Sequence, residues 1–315
     1  MLAASPRVSV IMNCLNSATD LRAAMDSVMA QTFPDWEIIF WDNGSTDSSP
    51  DIAQSYGPKV RYFRAATTVP LGAARNLAIA KAQGAYIAFL DCDDLWLPTK
   101  LERQVALFDA NPRLGLVCTD TEIFTGKRVR SRLFSKGVPP RGMVFAQLLQ
   151  DQWISMSSAM IRRTALDSLT ECFDESLNMC EEADLFYRIA HNWELDYVDG
   201  PPLTRWRVHA QNTTFRKFGK FADETIRILE KHRHLYPQYD VEYAPLVALL
   251  TRRAAFQRGI SLWREGHNAD ARACVRPYAA TSPKYRLFMW VSWLPGFCFD
   301  ALARLYFSLP DWLRR

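Results

Sequence analysis

The sequence has no Cys-x-x-Cys pair, no long run of like charge and no apolar stretch long enough to cross a bilayer. Its seven cysteines (Cys14, Cys92, Cys118, Cys172, Cys180, Cys274 and Cys298) are odd in number and scattered. That spacing excludes a zinc ribbon or a dithiol redox motif and suits a reducing compartment. Charge of one sign is missing too, since 38 Lys and Arg stand against 34 Asp and Glu, a formal +4. Such a balance gives no ground for nucleic-acid binding and stays compatible with an anionic substrate or membrane surface. The opening residues, Met1 to Arg7, lack the basic region and long apolar region of a secretion signal, so a cytoplasmic location is expected. Low-complexity segments and fixed-period repeats are absent as well.

What is present is a core-forming chain, 315 residues with 49% hydrophobic content. Its first half alternates short apolar runs with amphipathic stretches, the pattern of a mostly parallel sheet covered by helices. Val8 to Met12 reads as a first strand; Leu21, Met25 and Val28 then share a helical face until Phe33-Pro34. Glu37 to Trp41 reads as a second strand, running into the turn Asp42-Asn43-Gly44-Ser45-Thr46-Asp47. Val60 to Phe63 is a third strand, before a helix from Gly72 to Ala82 with Gly84 as its expected C-cap. Ala85 to Leu90, almost wholly apolar, reads as a central strand with Asp91 at its carboxyl end. Ligands of open α/β sheets gather outside that end, so Asp42 and Asp91 are expected to face one crevice. Beyond Leu114 to Cys118 the pattern loosens into an exposed basic stretch, Lys127 to Lys136, and candidate elements at 153–161, 181–190 and 204–208. From Phe221 the pattern is helical, which places a boundary near residue 220 between residues 1–220 and a helical extension, 221–315.

Asp91-Cys92-Asp93-Asp94 sets three carboxylates in four residues at a strand mouth. Hard cations such as Mg²⁺ and Mn²⁺ take carboxylate oxygens and keep positions open for phosphate and water. If the segment is extended, Asp91 and Asp93 project to the same side. The same acids would equally serve as an acidic cap before Leu95-Trp96-Leu97-Pro98.

Three segments together resemble the inverting family 2 glycosyltransferases of GT-A fold: Val8 to Asn13 with Asn16, Trp41 to Asp47, and Gly72-Ala73-Ala74-Arg75-Asn76 leading to Phe89 through Asp94. The likeness spans residues 7 to 215, and its motifs are specific as a set. It implies a GT-A α/β fold and a nucleotide-diphosphate-sugar donor, with a UDP-sugar as first choice. Asn13, Asn16, Asp42, Arg75, Asp91 and Arg207 would line the donor, with Asp42 on the nucleobase and Asp91 on the ribose. Asp93 would be the direct ligand of Mn²⁺ or Mg²⁺, with Asp91 and His209 beside it and Asp94 in support. The acceptor would be a glycan or lipid-linked saccharide hydroxyl.

Inverting transfer needs a base that takes the acceptor's proton. Glu181-Glu182-Ala183-Asp184-Leu185 stands where the family usually shows Glu-Asp, a spacer, then Asp-Leu, so Glu182 replaces the usual aspartate. Glu182 is the preferred base, with Glu181 and Asp184 as the alternatives and an acidic helix turn as the structural use of all three. Arg205-Trp206-Arg207-Val208-His209 resembles the segment that closes over the diphosphate, Arg207 and His209 projecting to one side. Trp153 would stack on a sugar or fill the core.

The uncharged stretch Leu287 to Phe299 is too short to span and is broken by Pro295-Gly296. With Trp290, Trp293, Arg304, Tyr306, Trp312, Arg314 and Arg315, it suits either a membrane surface, such as the inner face of the cytoplasmic membrane, or packing on the catalytic domain or a second subunit in a homodimer. Two other functions compete. A sugar-phosphate nucleotidyltransferase should carry a Gly-rich loop after its first strand, and Met12 to Ser17 has no glycine. A non-catalytic nucleotide-sugar binder would keep the metal site and let the base drift, for which Glu182 is the one hint.

Overall fold

The structure is a computed structural model that describes residues 5–209 and 218–299. The tail residues Arg304, Tyr306, Trp312, Arg314 and Arg315 lie outside them. The chain divides into two compact units, Met1–Ala210 and Gln211–Arg315.

The first unit is α/β. Its main sheet follows the apolar runs: β1 (Val8–Cys14), β2 (Trp36–Asp42), β3 (Val60–Arg64) and β4 (Tyr86–Phe89). Two more parallel strands, β6 (Leu114–Thr119) and β10 (Glu194–Val198), complete it around β9 (Met160–Arg162). The order is β10-β6-β9-β4-β1-β2-β3, and β9 alone runs antiparallel to both neighbours. β2 is buried at every position because it lies between β1 and β3 and is covered by helices. Its one buried acid besides Asp42, Glu37, is satisfied by Ser9 Oγ at 2.7 Å, the Gln83 amide at 2.9 Å and Arg61 at 2.7 Å.

Helix α1 (Ala18–Met29) buries Leu21, Ala24, Met25 and Val28, the face its spacing dictates. Asp47 orients its start and that of α2 (Ser49–Gln54), accepting from the Ala18 amide at 3.0 Å and the Ser49 amide at 2.9 Å. Helix α3 (Leu71–Ile79) stops before the expected Ala82, and its C-cap is Ala80. Gly84 has another purpose: a Cβ there would lie 2.5 Å from the Ser9 amide nitrogen, so only glycine lets the chain pass β1 this closely.

A smaller four-stranded sheet, β5-β11-β7-β8, is built from β5 (Leu95–Trp96), β7 (Thr121–Thr125), β8 (Arg128–Arg132) and β11 (Thr204–Arg207). The basic stretch thus includes an exposed edge strand, the usual place for charge on a sheet.

The second unit is helical: α8 (Phe218–Leu235), α9 (Tyr239–Glu242), α10 (Ala244–Arg264), α11 (Asn268–Val275) and α12 (Pro283–Val291). Trp263, Ala271, Val275, Tyr285 and Phe288 form a core of its own. Among the described residues no helix is long and apolar enough to cross a membrane.

Candidate active site

The carboxyl ends of β1, β2 and β4 meet at the acidic cluster. Leu90 still pairs with β1, its amide 3.0 Å from the Ile11 carbonyl, and the chain then turns, the Asp94 amide donating to the Asp91 carbonyl at 3.1 Å. The segment is therefore a turn and not extended, and its acids part company. Asp91 faces Arg75, with Nη2 3.4 Å from Oδ1. Asp93 faces the strand-end histidine, with His209 Nε2 3.0 Å from Oδ2 and side-chain exposures of 34% for His209 and 30% for Asp93. Asp94 is buried, taking Ser157 Oγ at 2.6 Å and the Arg207 amide at 2.9 Å. Burial, then repulsion from Asp91 and Asp93, pushes the Asp94 carboxyl well above the usual range.

Arg207 fastens the same turn from the other side. Its Nε donates to the Asp93 carbonyl at 2.8 Å and lies 3.2 Å from Asp20 Oδ1. β11 and the acidic turn are thus joined through Arg207 and His209, while Leu97 and Leu203 bond through their backbones. Among the described residues no three His, Cys, Asp or Glu side chains converge into a ready-made metal cage. The chemistry of the donor set nevertheless fits a hard divalent cation: a partly exposed carboxylate, Asp93, with an imidazole against it and Asp91 two residues away.

The buried Arg75 guanidinium bridges two acids, with Nη1 2.9 Å from Glu181 Oε1 in addition to its contact with Asp91. Burial works against its charge, and Asp91 and Glu181 outweigh that, holding its pKa above the usual value. The three acids opening α7 (Glu181–Asn192) now separate by pairing. Glu181 belongs to Arg75, with its other oxygen, Oε2, buried and without a hydrogen-bond partner. Asp184 is fully buried against Arg188, Nη2 2.8 Å away, and Arg188 in turn holds the carbonyls of Glu171 and Cys172. Glu182 makes no hydrogen bond or ion pair with the described residues, and burial pushes its carboxyl up to about 8.

Toward β2 the site is shaped by asparagines and a buried acid. Asn16, at φ 55°, accepts from the Thr46 amide at 2.8 Å and so clasps the Asp42–Asp47 turn. Asp42 is fully buried, accepting from the Ser45 amide and Tyr62 Oη, each at 2.7 Å, with Arg64 Nη1 3.3 Å away. Burial raises its pKa, but Tyr62, Ser45 and Arg64 prevail and hold it below the usual range. Asn13 Nδ2 is buried without a partner at the end of β1, a donor lacking an acceptor. Trp153 is half-buried.

Sequence reading missed two features. Cys14 and Cys92, distant in sequence, come together here: Cys92 Sγ donates to the Asn13 carbonyl at 3.3 Å, and the neighbouring Cys92 thiol is the main influence drawing Cys14 down to about 6. Ser157 is the second. Its hydroxyl accepts from the Asp91 amide at 3.1 Å and donates to Asp94, while its carbonyl takes Trp96 Nε1 at 2.7 Å. One hydroxyl thereby sets both ends of the acidic turn, and nothing local in Ser155-Met156-Ser157-Ser158 announces it. Ser157→Ala is expected to lower kcat by roughly 10–100-fold with an unchanged circular dichroism spectrum, as loss of an orienting hydrogen bond does. Ser157→Thr should recover most of the rate, and equal loss in both variants would reduce the hydroxyl to packing.

The profile of "Glycosyl transferase family 2" matches residues 9–170. An uncharacterized glycosyltransferase of Rickettsia typhi is 30% identical over 216 residues, covering 67% of this chain and 66% of its own. WfgD of Escherichia coli, a UDP-Glc:alpha-D-GlcNAc-diphosphoundecaprenol beta-1,3-glucosyltransferase, is 28% identical across 51% of this chain and 62% of its own. The chain thus spans about two thirds or less of the length of these curated relatives. Among solved structures, S. aureus TarS aligns with TM-score 0.64 at 18% identity, over 85% of this chain and 80% of that one. The mannosyltransferase PcManGT from Pyrobaculum calidifontis, solved with GDP-Man and Mn²⁺, aligns with TM-score 0.61 at 17% identity, over 98% of this chain and 89% of that one. The architecture is that of the GT-A fold, and the chain belongs to glycosyl transferase family 2.

Proposed function

We propose that this chain moves a sugar from a nucleotide-diphosphate donor to a hydroxyl acceptor, inverting the anomeric carbon. The observation that carries the reading is the convergence, at the carboxyl ends of the central strands, of two kinds of group. Asn13, Arg75, Asp91, Asp93 and His209 suit a donor, and an acid without an ion-pair partner, Glu182, suits a base.

In this reading the nucleoside lies over the ends of β1 and β2, between Asn13 and the turn that Asn16 and Asp42 hold. Asp91 meets the ribose, and Arg207 borders the diphosphate. Asp93 and His209 would hold Mn²⁺ or Mg²⁺, with Asp91 nearby; when bound, the ion supplies Lewis-acid stabilisation of the departing diphosphate. Glu182 takes the acceptor proton as the acceptor oxygen bonds to the anomeric carbon, and the bond to the diphosphate oxygen breaks with its electron pair. Arg75 keeps Glu181 and Asp91 in place around that centre. A lipid-linked saccharide acceptor, met at the cytoplasmic face of a membrane, is supported by the acceptor in the name of WfgD. That same name favours a UDP-sugar as donor, whereas the PcManGT complex keeps GDP-sugars in the test.

The test is a screen of UDP-, GDP- and dTDP-sugars for thermal stabilisation with and without Mn²⁺. Donor at 100 times its Kd should add about 2.7 kcal/mol of apparent stability, with metal only. Failure of every donor to stabilise the protein would remove the transferase reading. Stabilisation without turnover on any acceptor would favour a nucleotide-sugar binder instead.

A further inference from the structure

We infer that the helical C-terminal unit carries a docking face for an anionic lipid bilayer. Trp290, Trp293 and Phe297 are 78%, 68% and 84% exposed, with Leu287 and Leu294 exposed beside them. A soluble surface rarely gathers this much large apolar area within eleven residues unless it binds something. The residues are not loose ends. Tyr285 and Phe288 on α12 point into the unit's core, and helical spacing places Leu287 and Trp290 on the side away from it.

The backing is rigid. Trp263 Nε1 donates to the Leu294 carbonyl at 2.7 Å, Asn268 to the same oxygen at 2.9 Å, and Arg272 Nη1 to the Ser292 carbonyl at 2.9 Å. The Arg272 guanidinium stacks 3.6 Å from the Trp293 ring centroid. A Cβ at Gly296 would lie 2.3 Å from the Trp263 carbonyl oxygen, so the turn presenting Phe297 is pressed onto α10.

Charge selects the occupant. Residues 271–299 contain Arg272, Arg276, Lys284 and Arg286 and no Asp or Glu. A second copy docked about a twofold axis would set this cationic, aromatic patch against itself, like charge facing like charge. An anionic bilayer instead accepts the aromatic rings at its headgroup level and attracts the four cations. The face lies on the surface with no spanning helix among the described residues, which is the interfacial mode of binding. This does not depend on the sugar-transfer reading.

The experiment floats the full chain with vesicles of phosphatidylglycerol and phosphatidylcholine in equal parts, and with pure phosphatidylcholine. The protein should rise with the anionic vesicles, its Trp emission shifting to the blue, and dissociate as salt is raised. The triple variant Trp290→Ser/Trp293→Ser/Phe297→Ser should lose at least about tenfold in partitioning. Arg276→Glu/Arg286→Glu, at two exposed positions, should lose anionic binding while keeping the wild-type circular dichroism spectrum and Tm. No vesicle binding by the wild type overturns the proposal, as does undiminished binding by both variants. Sedimentation of the wild type as a dimer that the triple variant dissolves overturns it in favour of self-association.

Discussion

Glu182→Gln is expected to bind donor as the wild type does and to lose transfer by about 10²–10⁴-fold in kcat, the usual worth of a positioned base. The reason lies in how the first turn of α7 distributes its acids. Glu181 is held by Arg75 and Asp184 by Arg188, so neither is free to collect a proton without breaking a buried ion pair. Glu182 has no such partner to lose. Glutamine keeps the shape and removes the base, so isothermal titration with donor should look unchanged while the transfer assay falls silent. Undiminished transfer would move the base to another residue.

The pH dependence follows from the same group. Burial, reinforced by Glu181 and Asp91 and opposed by Arg75, raises its pKa from 4.5 to about 8. A base works ionised, so kcat/KM should climb with pH up to about 8 and fall as pH drops below it; Gln should erase that limb from any residual rate. Stability carries the opposite sign. A carboxyl raised in the folded state binds its proton more tightly there, so its contribution is full below 4.5 and is lost as pH rises through about 8. Glu182→Asp restores the acid the family usually has but on a backbone fitted to glutamate. Withdrawing the carboxyl by about an ångström can cost on the order of a hundredfold.

The strands were legible where burial on both faces leaves a mark in the residues, as in β1 and in Ala85 to Leu90. β9 was read only as part of an untyped element at 153–161, because Met160–Arg162 is a strand only through antiparallel pairing with β4 and β6, partners far off in sequence. Gly84 misled for a related reason: a glycine after a helix suggests a cap, and only the Ser9 backbone opposite shows the close approach. The position of the acidic cluster at a strand mouth was readable, but its geometry was not. Extended backbone would have aimed Asp91 and Asp93 alike, whereas the turn sends one to Arg75 and the other to His209. The Ser157 hydroxyl and the Cys14–Cys92 contact are long-range pairings between ordinary residues, which carry no local signal at all.

That divergence makes Asp93→Ala the sharpest test of the donor site, since it is expected to abolish metal-dependent donor stabilisation and leave the fold untouched. Asp91 keeps Arg75, and Asp94 keeps Ser157 and the Arg207 amide, so the turn survives loss of the Asp93 carboxylate, which holds neither of those contacts. Asp93 is partly exposed, and its removal should shift apo stability by no more than about 0.5 kcal/mol. The Mn²⁺-dependent increment of about 2.7 kcal/mol at 100 times Kd should vanish. Asp94→Ala should behave differently: it leaves Ser157 and the Arg207 amide without their buried acceptor, a loss of about 1–3 kcal/mol that lowers Tm with or without donor. The pair of thermal shifts therefore separates the acid that meets the ligand from the acid that builds the turn. Full metal-dependent stabilisation in Asp93→Ala would show that the cation is held elsewhere, and the assignment of Asp93 and His209 as its ligands would fall with it.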